Sequence, residues 1–409
     1  MLLRRANFIL ISAVFICALA GNLRAQSGRV PPPAPTPADQ REGQQEPVTV
    51  FTEEVRVPVF ARDEYDRFDP TLAPLDVLVL EDNVPQQVRS VRRIPASVLL
   101  LIAAGGELNP AHSLKLSRAA ALNVISSLRP DDQLAVMQFD NRTELLQGWT
   151  TEKSEAENAV QSKLHTGSGA NTAAALQQAA SLFADQPPGN RHIVFITDGV
   201  DTPGRQMSAA ELVRILSSDA MILGGRNGSA EAMRRLQATQ VTVHVLSYTS
   251  FGRREIKERD KRSAQSTNAP PGSVRSSGVA TAGIDPTMPP TMNRGGAIGP
   301  PRGDGITFDS DAKKVRKAYG KAMQRSEQQL KSLAAETGGL LLLPTASADL
   351  ITAGGEIAQE IGTQYVVTYA PKRPLANSPA TEYRRLTVLP RRSGLTLRSR
   401  RGYVTAAMK

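Results

Sequence analysis

Of the two side chains most often used as nucleophile or transition-metal ligand, cysteine and histidine, this 409-residue sequence holds one and four. Cys17 lies inside an apolar N-terminal run, and Val14, Phe15 and Ile16 before it lack the small residue that precedes a lipidated cysteine. A mature chain cleaved beyond it has no thiol, which excludes disulfides, thiolate nucleophiles and cysteine-held zinc. His112, His165, His192 and His244 show no H-E-x-x-H or other paired spacing, and His244 alternates along a strand pattern as an ordinary side chain does. The serines from Ser250 to Ser276 include no G-x-S-x-G elbow. The turn AGGELNP, Ala104 to Pro110, has neither a P-loop lysine nor G-x-G-x-x-G spacing, so no nucleotide is expected. These exclusions point away from an enzyme.

Charge is the other chemical resource. The formal net charge is +10, and removing Arg4, Arg5 and Arg24 with an N-terminal signal leaves 10 − 3 = +7. Lys372, Arg373, Arg384, Arg385, Arg391, Arg392, Arg398, Arg400 and Arg401 face Glu382 alone between positions 372 and 401, a local balance of 9 − 1 = +8. Arg384, Arg385, Arg391, Arg392, Arg398, Arg400 and Arg401 are either the solvated face of strands or a patch for an anionic envelope polymer or lipid headgroups, since clustered cations attract polyanions. Nucleic acid is not expected as a partner: aromatics make up 4% of the chain and leave bases little to stack on.

The elements that must position these groups fall into a sequence of blocks. Residues 1–25 combine Arg4 and Arg5, an apolar run from Phe8 to Ala20 and small residues at Ala18, Ala20 and Ala25, the pattern of an export signal, so the protein is expected in the periplasm or outside the cell. Residues 26–47 are Pro- and Gln-rich and read as a linker. Residues 48–94 are all β: Val48, Val50, Val55, Val57 and Val59 alternate, and LDVLVLEDN and the stretch from Val88 to Ile94 follow.

Residues 95–248 change character. SVLLLIA is a continuous apolar run of the kind covered by helices on both faces, and DQLAVMQF, HIVFITDG and VTVHVLSY are further strands. Ser113 to Leu128, Asn171 to Phe183, Ala209 to Ile215 and Ala230 to Leu236 carry helical spacing. Periodicity vanishes over 249–307, which is expected to be a disordered insertion. In 308–362 a long helix capped by Ser310 carries Val315, Tyr319, Met323, Leu330 and Leu333 and stops at Gly338-Gly339; LLLLP is a strand and Ala348 to Ile361 a helix. QYVVTYAP, YRRLTVLP and LTLRSRRGYV make 363–409 a basic β segment. Alternating strands and helices give an α/β fold, a Rossmann-like doubly wound, mainly parallel sheet. Two or three strands on either side of it are marginal alone, so they are expected to pair into one β-sandwich-like unit with the α/β domain inserted.

In open parallel sheets, ligands gather at the carboxyl ends of the strands. There, SVLLLIA with its small-residue turn, the loop TGSGANTAAAL and the strand-turn HIVFITDGVDT resemble the three segments of a von Willebrand factor A domain. The chain is also similar to a secreted VWFA-related family described from acidobacteria, through VFTEEVRVPVFARD and DVLVLEDNVPQQVRS before the domain and LAAETGG, IGTQYVVTYAP and LTLRSRRGYV after it. Metal-competent members of the superfamily hold a divalent cation with a D-x-S-x-S turn, a Thr and an Asp, and a partner's acidic side chain completes the shell. Carried over, these positions are Ala103, Gly105, Glu107, Thr172 and Asp198. Three of the five are altered, so the resemblance implies a degenerate adhesion site with no metal or other cofactor.

The implied function is a protein-interaction or adhesion module that meets an unidentified protein partner through a rim of Gly105, Glu107, Thr172, Asp198 and Asp201. The alternative is a substituted site in which Glu107, Thr172 and Asp198, with Asp201, hold Mg²⁺ or Ca²⁺ through hard oxygen ligands. A third reading is polyanion binding by the C-terminal arginines, marked by strong salt sensitivity.

Overall fold

The computed structural model describes residues 53–105, 114–267, 305–376, 378–379 and 381–405. The expected signal at 1–25, the linker at 26–47, the strand start at 48–52, Glu107 and residues 268–304 of the insertion lie outside the described residues.

Four strands come first, β1 (Val55–Arg62), β2 (Val77–Glu81), β3 (Val84–Gln86) and β4 (Val88–Arg92). The α/β part follows as β5 (Ser97–Ala103), α1 (Leu114–Ser127), β6 (Gln133–Phe139), β7 (Thr143–Thr150), α2 (Lys153–Ser162), α3 (Thr172–Ser181), β8 (Arg191–Thr197), α4 (Ala209–Leu216), α5 (Gly225–Thr239) and β9 (Thr242–Ser247). It continues through α6 (Thr249–Thr267), α7 (Gly305–Thr337), β10 (Leu341–Leu342) and α8 (Ser347–Thr363). The last strands are β11 (Tyr365–Tyr369), β12 (Tyr383–Pro390), β13 (Thr396–Ser399) and β14 (Gly402–Val404).

The central sheet has the order β10-β9-β8-β5-β6-β7, parallel throughout except for β7, which pairs antiparallel on the outside of β6. Every residue of β5 is buried. The pleat explains why its apolar run is unbroken: Leu99, Leu101 and Ala103 enter one core with α3, α5 and α7, while Val98, Leu100 and Ile102 enter the other with α1, α2 and α8. Each such Leu or Ile contributes roughly 1.5–3 kcal/mol by leaving water. Helix α1 lies against α8 at a spacing that glycine alone permits, since a Cβ on Gly354 would come within 2.6 Å of the Ala120 carbonyl oxygen.

Two antiparallel sheets, β13-β1-β11-β4 and β14-β12-β2-β3, complete the architecture. Each mixes strands from before and after the α/β part. Val57 and Val59 of β1, Val79 of β2, Val367 of β11, Leu386 of β12 and Tyr403 of β14 share one apolar core. The sandwich-like unit is therefore built jointly by the two flanks, because neither flank alone covers both apolar faces.

Several expectations are corrected. The segment from 249 was expected to lack order, yet 249–267 form α6; its heavily charged composition hides the one face that matters, where Ile256 packs in the same core as Tyr319, and Arg253–Glu327 and Arg316–Asp260 ion pairs tie it to α7. Helix α7 starts at Gly305, so Ser310 lies inside it and is not its cap. Helix α5 begins at Gly225, five residues before the periodic stretch. Strand β7 and helix α2 were missed: β7 is an edge strand with only Leu146 fully buried, and α2 buries no more than Ala156, Ala159 and Val160. Gly338, at φ +80°, does end α7, and a Cβ on Gly339 would collide with the Val243 carbonyl oxygen.

Candidate functional site

The carboxyl ends of β5 and β8 and the start of α3 meet at one end of the parallel sheet. Strand β5 runs out at Ala103, the Ala104 amide donates to the Phe139 carbonyl at 2.8 Å, and the Gly167 amide donates to the Ala104 carbonyl at 3.0 Å. The loop 167–171 is thereby drawn across the end of β5. It closes so tightly that a Cβ on Gly105 would lie 1.6 Å from the Gly169 carbonyl oxygen. Backbone thus fills the space that a side chain at position 105 would need.

Asp140, just past β6, holds the same loop: its carboxylate accepts from the amides of Ser168 at 3.0 Å and Arg142 at 2.8 Å, and its carbonyl accepts from the Asn171 amide at 2.8 Å. Ala170 and Thr202 then bridge the loop to the turn after β8. Asn171 caps α3 by accepting from the Ala174 amide at 3.2 Å, which leaves Thr172 as the first helical residue.

The two aspartates of TDGVD are buried and engaged. Asp198 Oδ1 accepts from the Val200 amide at 3.0 Å, and Oδ2 accepts from the Tyr319 hydroxyl of α7. Ser326 of α7 donates to the Asp198 carbonyl. Asp201 Oδ1 accepts from the Thr172 amide at 2.7 Å and Oδ2 from the Gly224 amide at 2.6 Å. Burial pushes the Asp201 carboxyl up to about 6, against the pull of the hydrogen bonds from Thr172 and Gly224. The Tyr319 hydroxyl is held well above its usual range by burial and by the neighbouring Asp198.

Gly105, Thr172, Asp198 and Asp201 are thus brought together as expected, while Glu107 lies outside the described residues. The last three lie deeper than a rim suggests, at 1%, 5% and 7% exposure for Thr172, Asp198 and Asp201, and form the floor of this end of the sheet. The exposed part is Ser168 with Gly204, Arg205 and Gln206, beside a cavity of about 400 Å³. Asp140, Tyr319 and Ser326 were missed as site residues. Asp140 had a signal, a carboxylate directly after a buried strand; Tyr319 reads from sequence only as a core position of a helix, and Ser326 carries no signal.

The C-terminal cationic patch is also corrected. Arg384 is fully buried, with Nη1 2.7 Å from Glu81, whose other oxygen accepts from Tyr369 at 2.5 Å and Tyr403 at 2.9 Å. Arg400 is buried too, its guanidinium lowered to about 10 by burial, and it donates to Gln240 at 3.0 Å and to the Arg56 carbonyl. Arg392 pairs with Asp69, Arg398 with Glu360 and Arg401 with Glu336. Arg385, Arg391 and Arg401 are the exposed members, and of these Arg385 and Arg391 have no carboxylate partner among the described residues. Half of a strand's side chains point inward, and alternation alone does not reveal that an inward arginine has a carboxylate waiting for it.

His192 and His244, unpaired in sequence, are neighbours on β8 and β9, with His192 Nδ1 3.1 Å from His244 Nε2 and His192 Nε2 2.7 Å from Asn190 Oδ1. The network assigns one proton to each ring: His192 Nε2–H donates to Asn190, so His192 Nδ1 accepts from His244 Nε2–H. Both are fully buried, near the end of the sheet opposite the rim, and are structural groups.

Residues 105–200 match the model of the von Willebrand factor type A domain. None of the curated proteins matches the chain. Among solved structures, it is similar to the conserved hypothetical protein BatB from Bacteroides thetaiotaomicron at 15% identity and a TM-score of 0.25, over 37% of this chain and 65% of that one. A von Willebrand factor type A protein from Catenulispora acidiphila gives 11% identity and 0.37 over 87% of this chain and 75% of the other. The vWF domain of the type V pili tip protein Mfa5 from Porphyromonas gingivalis gives 13% and 0.34 over 66% and 96%. The chain spans less than two thirds of the length of the first of these. Within the α/β part, it is the segment 105–200 that is thereby assigned to the von Willebrand factor type A domain.

Proposed function

We propose that this chain is an exported, non-enzymatic interaction module that receives another protein on the loops at the carboxyl end of its parallel sheet, with no metal ion required. The observation that carries this reading is the engagement of Asp198, whose two carboxylate oxygens accept from Val200 and Tyr319 in a buried setting. A hard divalent cation needs several oxygen ligands, and Ala103 and Gly105 supply no side-chain oxygen at all. Asp201 is likewise committed to the amides of Thr172 and Gly224. The side chains present therefore do not fit the cation that the superfamily's adhesion site takes.

With the two carboxylates of the floor engaged, contact falls to Ser168, Gly204, Arg205 and Gln206 above it, where Pro203 and Met207 add apolar surface to the cavity. Export rests on the apolar N-terminal run; among the described residues no helix is long and apolar enough to cross a membrane.

Thermal unfolding of residues 26–409 in chelator, then in millimolar Mg²⁺, Ca²⁺ or Mn²⁺, tests the metal. A ligand at 100 times its dissociation constant stabilises by about 2.7 kcal/mol, and no such shift is expected. A photo-crosslinking residue at Gln206 should capture a protein partner equally in chelator and in calcium, and one at exposed Lys331 should not. Stabilisation by a cation that disappears in Asp198→Ala, or capture that needs calcium, would replace this reading with metal-dependent adhesion.

A further inference from the structure

On the outer face of the β13-β1-β11-β4 sheet, away from the rim, a cavity of about 430 Å³ is lined by Arg56, Arg89, Ser90, Arg92, Ile94 and Thr368 among others. The register explains the grouping. Arg56 of β1 stands opposite Thr368 of β11, which stands opposite Ser90 of β4, and Arg92 occupies the next position on the same face opposite Val366. The irregularity between Thr368 and Tyr369 leaves Arg89 as the extra residue of β4, and a bulge of this kind re-aims a side chain, here to the same cavity. Gly189, at φ +110°, brings the loop before β8 against this face: a Cβ there would lie 3.2 Å from Arg56 Cδ, and the Pro188 carbonyl accepts from Arg56 at 3.3 Å.

Two of the guanidiniums in this cavity differ from the arginines that the fold consumes. Arg62, Arg129, Arg253, Arg384 and Arg398 are each paired with a carboxylate. The side chains of Arg89 and Arg92 are exposed and, among the described residues, have no hydrogen-bond or ion-pair partner. Glu54, 3.4 Å from Arg56, is the acidic group in the lining, so three guanidiniums against one carboxylate leave 3 − 1 = +2. Ser90 and Thr368 are 2.6 Å apart; their mutual bond consumes one hydroxyl proton and leaves the other for a ligand.

We propose that this face binds a phosphate group. One guanidinium fork satisfies the two oxygens of a carboxylate, whereas a phosphate presents more acceptors and up to two charges, which matches two unpaired guanidiniums and a spare hydroxyl donor. The site is independent of the protein-binding rim, and the two readings stand or fall separately.

Isothermal titration of residues 26–409 with inorganic phosphate and with tripolyphosphate at 0.15 M ionic strength, with acetate as comparator, tests it. Phosphate binding is expected and acetate should be much weaker; tighter binding of tripolyphosphate would mark a phosphate chain as the ligand, and equal binding a single group. The double change Arg89→Ser with Arg92→Ser should weaken binding at least about tenfold with the unfolding midpoint unchanged, since each lost charge-assisted bond is worth about that much. The double change Arg385→Ser with Arg391→Ser, which removes the same charge elsewhere, should leave affinity unaltered. No heat with either phosphate probe, acetate binding as tightly as phosphate, or an equal loss in the second variant would overturn the proposal.

Discussion

The Tyr319 hydroxyl of α7 donates to the carboxylate of Asp198, tying the long helix to the turn after β8 across 121 residues of sequence. A hydrogen bond to a charged group contributes about 1.5–3 kcal/mol. Tyr319→Phe, which keeps the ring in its core position, should lower stability by that amount in urea unfolding at pH 7. A change below about 0.5 kcal/mol would mean that the bond is replaced by water at no cost.

Restoring a side chain at position 105 should harm the protein. A serine there places its Cβ 1.6 Å from the Gly169 carbonyl oxygen, so the loop 167–171 must move. Gly105→Ser and Gly105→Ala should each destabilise by at least about 2 kcal/mol, the scale of overpacking in a closed site. Equal losses identify sterics as the cause; a stable serine variant would show that the loop can withdraw.

The buried histidine pair sets the acid response. Burial pushes His192 from 6.5 down to about 3 and His244 well below 6.5. The unfolded chain therefore takes up both protons below about pH 6.5, while native His192 does not take up its own until near 3 and native His244 stays neutral well below 6.5, so stability falls as pH drops from 6.5. Asp201 acts in the opposite sense: with its carboxyl raised from 3.8 to about 6, the native chain binds its proton first and loses stability as pH rises from 3.8 to 6. His192→Gln should reduce the acid-side slope of unfolding free energy by about 1.4 kcal/mol per pH unit between pH 5 and 4. An unchanged slope in urea titrations would contradict a neutral buried ring.

Arg384 and Glu81 form the buried ion pair of the sandwich, with Tyr369 and Tyr403 completing the carboxylate's partners. Arg384→Ala strands a buried carboxylate and should cost about 3–5 kcal/mol, whereas Arg384→Met combined with Glu81→Gln should cost much less. The difference between the two variants in chemical unfolding is the measurement.

Removal of residues 372–409 takes away β12, β13 and β14, and with them one of the two partners of β1 and one of the two partners of β2. Limited proteolysis should then cut between 53 and 94 at protease concentrations that leave the full-length protein intact. Unchanged resistance there would mean that β1–β4 fold without the C-terminal strands.

Much of the architecture was legible because period and burial coincide. SVLLLIA and HIVFIT are unbroken apolar runs whose every residue beyond Arg191 is buried, and no other element suits that pattern. Gly338-Gly339 marked a helix end because a left-handed residue was required there. What the sequence concealed were relationships across distance. Arg384 and Arg400 look like solvent-facing cations until Glu81 and Gln240 are found beside them. Helix α6 looks like a polar tail until α7 supplies its ion pairs. At the site, the three superfamily segments and the missing oxygens at Ala103 and Gly105 were visible, but the closure of the Gly169 backbone over Gly105 and the arrival of Tyr319 were not.

The α/β domain is inserted between β4 and β11, which lie side by side, with Arg92 opposite Val366 at the end where the chain leaves for and returns from the insert. The rim sits at the far end of the parallel sheet. A tensile load applied to a partner held on the rim would therefore reach the sandwich through two adjacent strands pulled from the same end. The ladder from Val55–Tyr369 to Val59–Tyr365 between β1 and β11 would bear it in shear, with its backbone hydrogen bonds loaded together and not opened one after another. That load path exists because both flanks of the chain contribute to one sheet.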